Sequence, residues 1–130
     1  MVIDKILLIL IILNISLIQT ITCNSTSSLD QSHHIEYGTR QMNDYLLYRG
    51  IVRKQAFPLT IRTKDIGYPT IAGKRMHETI TYIKGTDQYQ NGNGGYMSLI
   101  DGGVGEKHVV LHFKSQRGHG FNFIFEIYGQ

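Results

Sequence analysis

The strongest structural signal in this sequence is the alternation of apolar and other residues between residues 107 and 128. It occurs in two segments that flank a polar stretch with two glycines, Ser115-Gln-Arg-Gly-His-Gly120. Because strand side chains change face at every residue, each segment places its apolar side chains on one face. These side chains are Val109, Leu111 and Phe113, then Phe121, Phe123, Phe125 and Ile127. The pattern predicts a β-hairpin that contributes much of the core of a small domain.

Before this segment, the sequence also consists of β-rich stretches separated by glycine-rich turns. Residues 78–84 and 96–100 are rich in Thr, Tyr and Ile or in other apolar residues, which is typical of strands. Together with the two arms of the hairpin, they predict a four-stranded antiparallel meander.

The first half of the chain is less regular. Residues 45–52 predict a strand, and the alternation over residues 57–63 predicts a second, half-buried one in which Pro58 indicates an edge position. Residues 64–75 contain three helix- and strand-breaking residues and predict a long irregular connection. With no helical spacing after the leader, the chain predicts an all-β fold, a small antiparallel β-sandwich or a partly open barrel.

Length and composition predict one globular domain, which we place at residues 35–130. The chain has 130 residues, of which 42% are hydrophobic and 18% charged, and this balance is typical of a folded protein rather than a disordered one. The net charge of +3 favours contact with acidic surfaces but is too small to indicate a specific nucleic-acid partner.

Residues 1–23 predict a secretory signal peptide. A short charged start with Asp4 and Lys5 precedes the apolar run 6–13, and small or polar residues follow at 22–25. The competing interpretation is a membrane anchor, but the whole apolar stretch ends at Ile21, which makes it shorter than the ~20 residues that a spanning helix needs. Cleavage after residue 23 would also remove Cys23, the one cysteine, so the secreted domain would contain no disulfide and no stable membrane anchor.

Residues 24–34 are polar and predict a flexible arm between the leader and the domain. Asn24-Ser25-Thr26 matches the acceptor sequence for N-glycosylation. Because it lies next to the expected cleavage point, a plain polar spacer is the preferred interpretation.

Several motifs resemble one known protein family. They are Gly94-Gly95-Tyr96, Gly102-Gly103-x-Gly105 and, most distinctive, Phe113-Lys-Ser-Gln-Arg-Gly-His-Gly120 with Ile127-Tyr128-Gly129. This pattern resembles the insect multiprotein bridging factor two family, a family of transcription activators by name that also covers probable salivary secreted peptides and related venom proteins. The resemblance extends from about residue 34 to the C-terminus. It implies an arthropod secreted protein of saliva, venom or haemolymph, and it provides no catalytic residues.

The glycine-rich stretches are best explained as turns. A phosphate-binding loop needs a helix after it whose N-terminus faces the anion, whereas strands follow residues 91–95 and 101–105. Glycines that permit tight turns are therefore the expected role of Gly94, Gly95, Gly102, Gly103, Gly105, Gly118 and Gly120. Residues 117–123 also partly match an aromatic RNA-binding motif, but His119 replaces a stacking aromatic and too few residues follow.

The six histidines do not predict a metal site. His108 and His112 share a strand face, but four residues along a strand separate them by ~13 Å, too far for one ion. His33 and His34 are neighbours on the arm, and His34 with Glu36 gives only two ligands. We therefore expect no metal and no other cofactor.

The polar loop 115–120 is the best candidate for binding. Gln116, Arg117 and His119 lie at the tip of the predicted hairpin, and loops on rigid scaffolds often carry recognition. A structural role also fits and is the preferred interpretation, with Gly118 and Gly120 setting the turn and Arg117 pairing with a nearby acid or carbonyl group. As a catalytic pair, Arg117 and His119 lack a nucleophile, since no serine lies in a strand-turn-helix elbow, and we expect no enzymatic activity.

Three hypotheses about function follow. The first is a secreted, non-enzymatic β protein of saliva or venom that binds a protein or surface partner through its loops. The second is an intracellular transcription co-activator that bridges a nuclear receptor and a basal transcription factor, as the family name implies. It would have to bypass the leader, and the chain has only the short basic pairs Arg53-Lys54 and Lys74-Arg75 as nuclear signals. The third, a hydrolase, has no catalytic motif to support it.

Overall fold

The computed structural model describes residues 5–7, 9, 29–71, 73 and 76–130. Residues 5–7 and 9 are helical, while most of the predicted signal peptide, Cys23 and Asn24 lie outside the described residues. In the part of the chain that is described, no helix has the length and apolar character needed to cross a membrane.

Seven strands form two antiparallel sheets in the described part of the chain. In chain order they are β1 (Ile35–Gly38), β2 (Tyr45–Lys54), β3 (Thr63–Tyr68), β4 (Ile80–Asp87), β5 (Tyr96–Gly102), β6 (Val109–Lys114) and β7 (Phe121–Gly129). The larger sheet has the order β1-β4-β7-β2, and the smaller one has the order β3-β6-β5. The predicted all-β class is confirmed. Because the two sheets do not close into a barrel, the fold is a small β-sandwich.

The core lies between the two sheets and is built mainly from β6 and β7. Both strands alternate between buried and more exposed residues, as their apolar pattern predicts. Every predicted inward side chain of these strands is almost completely buried, namely Val109, Leu111, Phe113, Phe121, Phe123, Phe125 and Ile127. Burial of side chains of this size contributes roughly 1.5–3 kcal/mol each, so these two strands provide a large share of the stabilisation.

The predicted hairpin over residues 107–128 is wrong, although both of its strands exist. β6 pairs with β3 and β5 in the smaller sheet, whereas β7 pairs with β2 and β4 in the larger sheet. The two strands face each other across the core instead of lying side by side. An alternating pattern determines which face of a strand is buried, but it does not determine which strands pair with it. The pattern therefore fits both arrangements equally well.

The predicted meander is wrong for the same reason. Among the described strands that are consecutive in the chain, β5 and β6 form the one paired set, joined by residues 103–108. The loop 88–95 takes the chain from the larger sheet to the smaller one, and the loop 115–120 takes it back.

Residues 57–63 do not form the predicted half-buried strand. Most of this stretch belongs to the loop 55–62, in which Thr60 N donates to Phe57 O at 3.2 Å to close a turn. The strand begins only at Thr63, the last residue of this stretch, and runs to Tyr68 through the segment for which an irregular connection was expected. The sequence does not show the apolar alternation typical of a strand here, because Lys64 and Asp65 are polar and only Ile66 and Tyr68 turn toward the core.

Candidate functional site

Three loops meet at one end of the sandwich, and each carries the chain from one sheet to the other. They are the β2–β3 loop (55–62), the β4–β5 loop (88–95) and the β6–β7 loop (115–120). The register places them together, since Lys54 lies opposite Phe121 in the larger sheet and Lys114 lies opposite both Thr63 and Tyr96 in the smaller one. We call this group of three loops the crossover end.

The loop 115–120 lies along the loop 55–62 and is bonded to it through the backbone. Ser115 N donates to Arg62 O at 2.8 Å, and Arg62 N donates to the Ser115 hydroxyl at 2.7 Å. One turn further, Gly118 N donates to Thr60 O at 3.0 Å. These bonds extend the β3–β6 pairing beyond the sheet and fix the two loops as one body.

Two of the predicted binding residues also tie the loops together. Gln116 Nε2 donates to the carbonyl oxygens of Gly92 at 2.7 Å and Gly94 at 3.0 Å, which links the loop 115–120 to the loop 88–95. Arg117 Nη1 donates to Leu59 O at 3.0 Å, and Arg117 is an exposed residue. The partner of Arg117 is therefore a carbonyl group, as its structural interpretation expects.

His119, the third predicted binding residue, lies at the edge of a small open cleft. The cleft has a volume of about 210 Å³ and is lined by Ala56, Tyr89, Asn91, Asn93, His119 and Gly120. Four of these six residues carry an amide, phenol or imidazole group, which can form hydrogen bonds with a partner. The structure therefore places His119 beside the loop 88–95, which the sequence did not indicate.

Asp87, at the end of β4, organises the region beneath this cleft and is missing from the sequence-based candidates. Asp87 is only 3% exposed. Its Oδ1 accepts a hydrogen bond from Tyr89 N and its Oδ2 accepts one from His33 N, both at 3.0 Å. A Cβ atom on Gly94 would overlap the Asp87 carboxylate, so this glycine is needed for close packing. The sequence offered one signal for this residue, namely a single acidic residue at the end of a β-rich segment.

The end of the predicted flexible arm lies against the same region. Gln31 N donates to Gln90 O at 3.2 Å, and the His33 ring stacks on Tyr96 with the ring centres 4.5 Å apart. His34 Nδ1 accepts a hydrogen bond from Asp87 N at 3.0 Å. Hydrogen bonds therefore join residues that lie on opposite sides of the predicted domain boundary at residue 35.

The predicted turn glycines fall into two groups. Gly118 has a φ of 77°, in the left-handed region that glycine adopts at little cost, and this conformation redirects the chain toward the larger sheet. Three others in the group also have positive φ, namely Gly102, Gly103 and Gly105. Those without positive φ are required by close packing, since a Cβ would approach Lys114 O at Gly95, Lys54 O at Gly120 and the Asp87 carboxylate at Gly94.

The histidines do not gather into a metal site in the described residues, where no group of three or more His, Cys, Asp or Glu side chains is arranged to hold an ion. His112 Nδ1 lies 2.5 Å from Asp65 Oδ1 on the outer face of the smaller sheet. His108 pairs with Asp101 at 3.6 Å near the opposite end of the sandwich.

Comparison with known proteins supports the family that the motifs resemble. The family model described as transcription activator MBF2 matches residues 37–129, which include every strand from β2 to β7 and the whole crossover end. A protein named probable salivary secreted peptide, from Bombus ignitus, is 36% identical over 106 residues, covering 82% of this chain and 76% of the relative. No solved structure matches the chain. The chain therefore belongs to the MBF2 family.

Proposed function

We propose that this protein is secreted, as a component of saliva or a related fluid, and acts by binding a partner through its crossover end without catalysis. The observation that carries the proposal is the relative named as a salivary secreted peptide, which is 36% identical across most of this chain. The signal-peptide pattern of residues 1–23 supports the same destination.

The geometry of the crossover end supports binding. Its loops are held to one another by hydrogen bonds that Gln116 and Arg117 donate and by the two bonds between Ser115 and Arg62, so a partner would meet a preformed surface. A surface of this kind loses little conformational entropy on binding. The polar cleft beside His119 adds hydrogen-bonding groups that give a partner its orientation.

Secretion is tested by expressing residues 1–130 in cultured insect cells and measuring the protein in the medium. We expect most of it in the medium, with an N-terminus near residue 24 by sequencing, because the apolar run 6–13 directs export. A matched control with Leu10→Arg, which places a charge in that run, should stay inside the cells. Retention of the unaltered protein in the cells would contradict the proposal.

A transcription co-activator inside the cell is the second candidate, and the description of the family as transcription activators favours it. A fluorescent protein fused after Gln130, an exposed residue, separates the two candidates. Fluorescence in the secretory pathway and medium supports secretion, whereas fluorescence concentrated in the nucleus supports the co-activator.

A further inference from the structure

The loop 55–62 presents two large apolar side chains to solvent. Phe57 is 56% exposed and Leu59 is 80% exposed, on either side of Pro58. Single exposed apolar residues are common on protein surfaces, but two on one protruding turn form a small apolar tip. We call Phe57 and Leu59 the apolar tip.

The backbone of the apolar tip has an unusual conformation, which hydrogen bonds hold in place. Leu59 has a φ of 58°, in the left-handed region that non-glycine residues rarely adopt. Its carbonyl accepts the hydrogen bond from Arg117, and Thr60 bonds to both Phe57 O and Pro58 O. Backbone outliers that the surrounding structure maintains are common at functional sites, and this one displays an apolar side chain to solvent.

Cations outnumber acids at the crossover end. Six cations lie in or beside its three loops, namely Arg53, Lys54, Arg62, Lys64, Lys114 and Arg117, whereas two acids flank the same loops, the exposed Asp65 and the buried Asp87. Within the described residues, none of these six lies within 4.0 Å of a carboxylate oxygen. The cations therefore give this end of the sandwich a net positive charge.

Cations elsewhere on the sandwich are balanced by acids. On the outer face of the larger sheet, the register places Lys84 between Glu36 and Glu126, and Arg49 lies on the other side of Glu126 at 3.6 Å. At the opposite end of the sandwich, acids such as Asp44 and Glu106 accompany the basic residues of the loops. The unbalanced charge thus belongs to the crossover end.

We propose that the crossover end docks on membranes that carry anionic phospholipids. This inference rests on the proposed function, because it assigns a partner to the same loops. Phe57 and Leu59 enter the boundary between headgroups and acyl chains, and the surrounding cations attract the phosphate and carboxylate groups of the lipids. A protein partner would need a broad complementary surface, whereas an exposed apolar tip at an end with excess positive charge matches a lipid interface.

The test measures co-sedimentation of the secreted protein with vesicles of phosphatidylcholine, with and without phosphatidylserine. We expect binding to the vesicles with phosphatidylserine at low salt and its loss at high salt, since the attraction is screened. The double variant Phe57→Ser/Leu59→Asn should bind at least tenfold more weakly, and Asn tolerates the left-handed conformation at position 59. Lys64→Gln/Lys114→Gln should bind roughly 30-fold more weakly, at ~1 kcal/mol for each cation.

Two matched controls keep the result specific. Met42→Asn removes a side chain that is 88% exposed at the opposite end, and Lys84→Gln/Lys107→Gln removes the same charge away from the crossover end. Both should bind vesicles as the unaltered protein does, and all variants should show unchanged near-UV circular dichroism. Absence of binding by the secreted protein overturns the inference while leaving secretion intact. Binding to vesicles unaffected by the apolar-tip variant, or binding to heparin or an acidic protein in place of vesicles, also overturns it.

Discussion

Replacing Phe113 with alanine is expected to lower the free energy of unfolding by about 4 kcal/mol. The Phe113 side chain is fully buried, and its ring lies 5.5 Å from that of Phe123, 5.7 Å from that of Phe125 and 6.0 Å from that of Phe121, between ring centres. All three partners belong to the facing sheet, so the truncation opens a cavity where the two sheets join. Because a small domain has only about 5–15 kcal/mol of stability, this loss would leave little margin.

Chemical denaturation followed by circular dichroism measures the effect. The matched control is Phe57→Ala, which removes the same ring from an exposed position and should change the free energy of unfolding by less than about 0.5 kcal/mol. A larger loss from Phe57→Ala than from Phe113→Ala would contradict the position of the core.

Replacing Asp87 with asparagine is expected to cost about 2–3 kcal/mol, although the two side chains have nearly the same shape. Each carboxylate oxygen accepts a backbone hydrogen bond, one from Tyr89 N and one from His33 N. The amide group of asparagine has only one acceptor oxygen, so its NH₂ group would face one of these N–H donors. A buried donor would then be left without a partner, and residues 31–34 would lose one of the contacts that hold them against the crossover end.

Two measurements check this substitution. Unfolding by denaturant reports the loss of stability, and hydrogen exchange should show faster exchange of the His33 amide. Asp65→Asn is the control, because Asp65 is exposed and pairs with His112 on the sheet surface, and it should cost less than about 1 kcal/mol. Equal effects of the two substitutions would show that Asp87 does not have the buried role described above.

The sequence predicted the fold class and the core because both depend on local alternation. The inward residues of β6 and β7 follow directly from the period of two along a strand. Strand pairing depends on contacts between distant segments, and a six-residue polar loop with two glycines is compatible with either a hairpin or a crossover. The decisive contacts, those of Ser115 and Gly118 with the loop 55–62, link segments more than 50 residues apart.

The apolar pattern was misleading where apolar side chains face solvent. Phe57, Leu59 and Ile61 alternate as in a half-buried strand, yet all three are exposed in a loop. In contrast, β3 has only two inward apolar residues, so its sequence did not show the alternation that predicts a strand. The exposure of the apolar tip is the kind of departure from local rules that is expected at functional positions.

The candidate site was found only in part. Gln116, Arg117 and His119 were singled out from the loop 115–120, and the structure brings them into one cluster with the loops 55–62 and 88–95. The concentration of cations at the crossover end was not visible, because its members come from three separate segments whose proximity depends on the strand order. Asp87 was missed because its burial results from the same long-range packing.

The crossover end exists only if β6 and β7 belong to different sheets, and nuclear Overhauser contacts between backbone protons test this directly. The sandwich predicts contacts of Phe123 with Val52 and Asp87, and contacts of His112 with Asp65 and Ser98. A hairpin closed by residues 115–120 would place His112 opposite Phe123. Backbone contacts between His112 and Phe123 would therefore contradict the sandwich and the binding surface built on it.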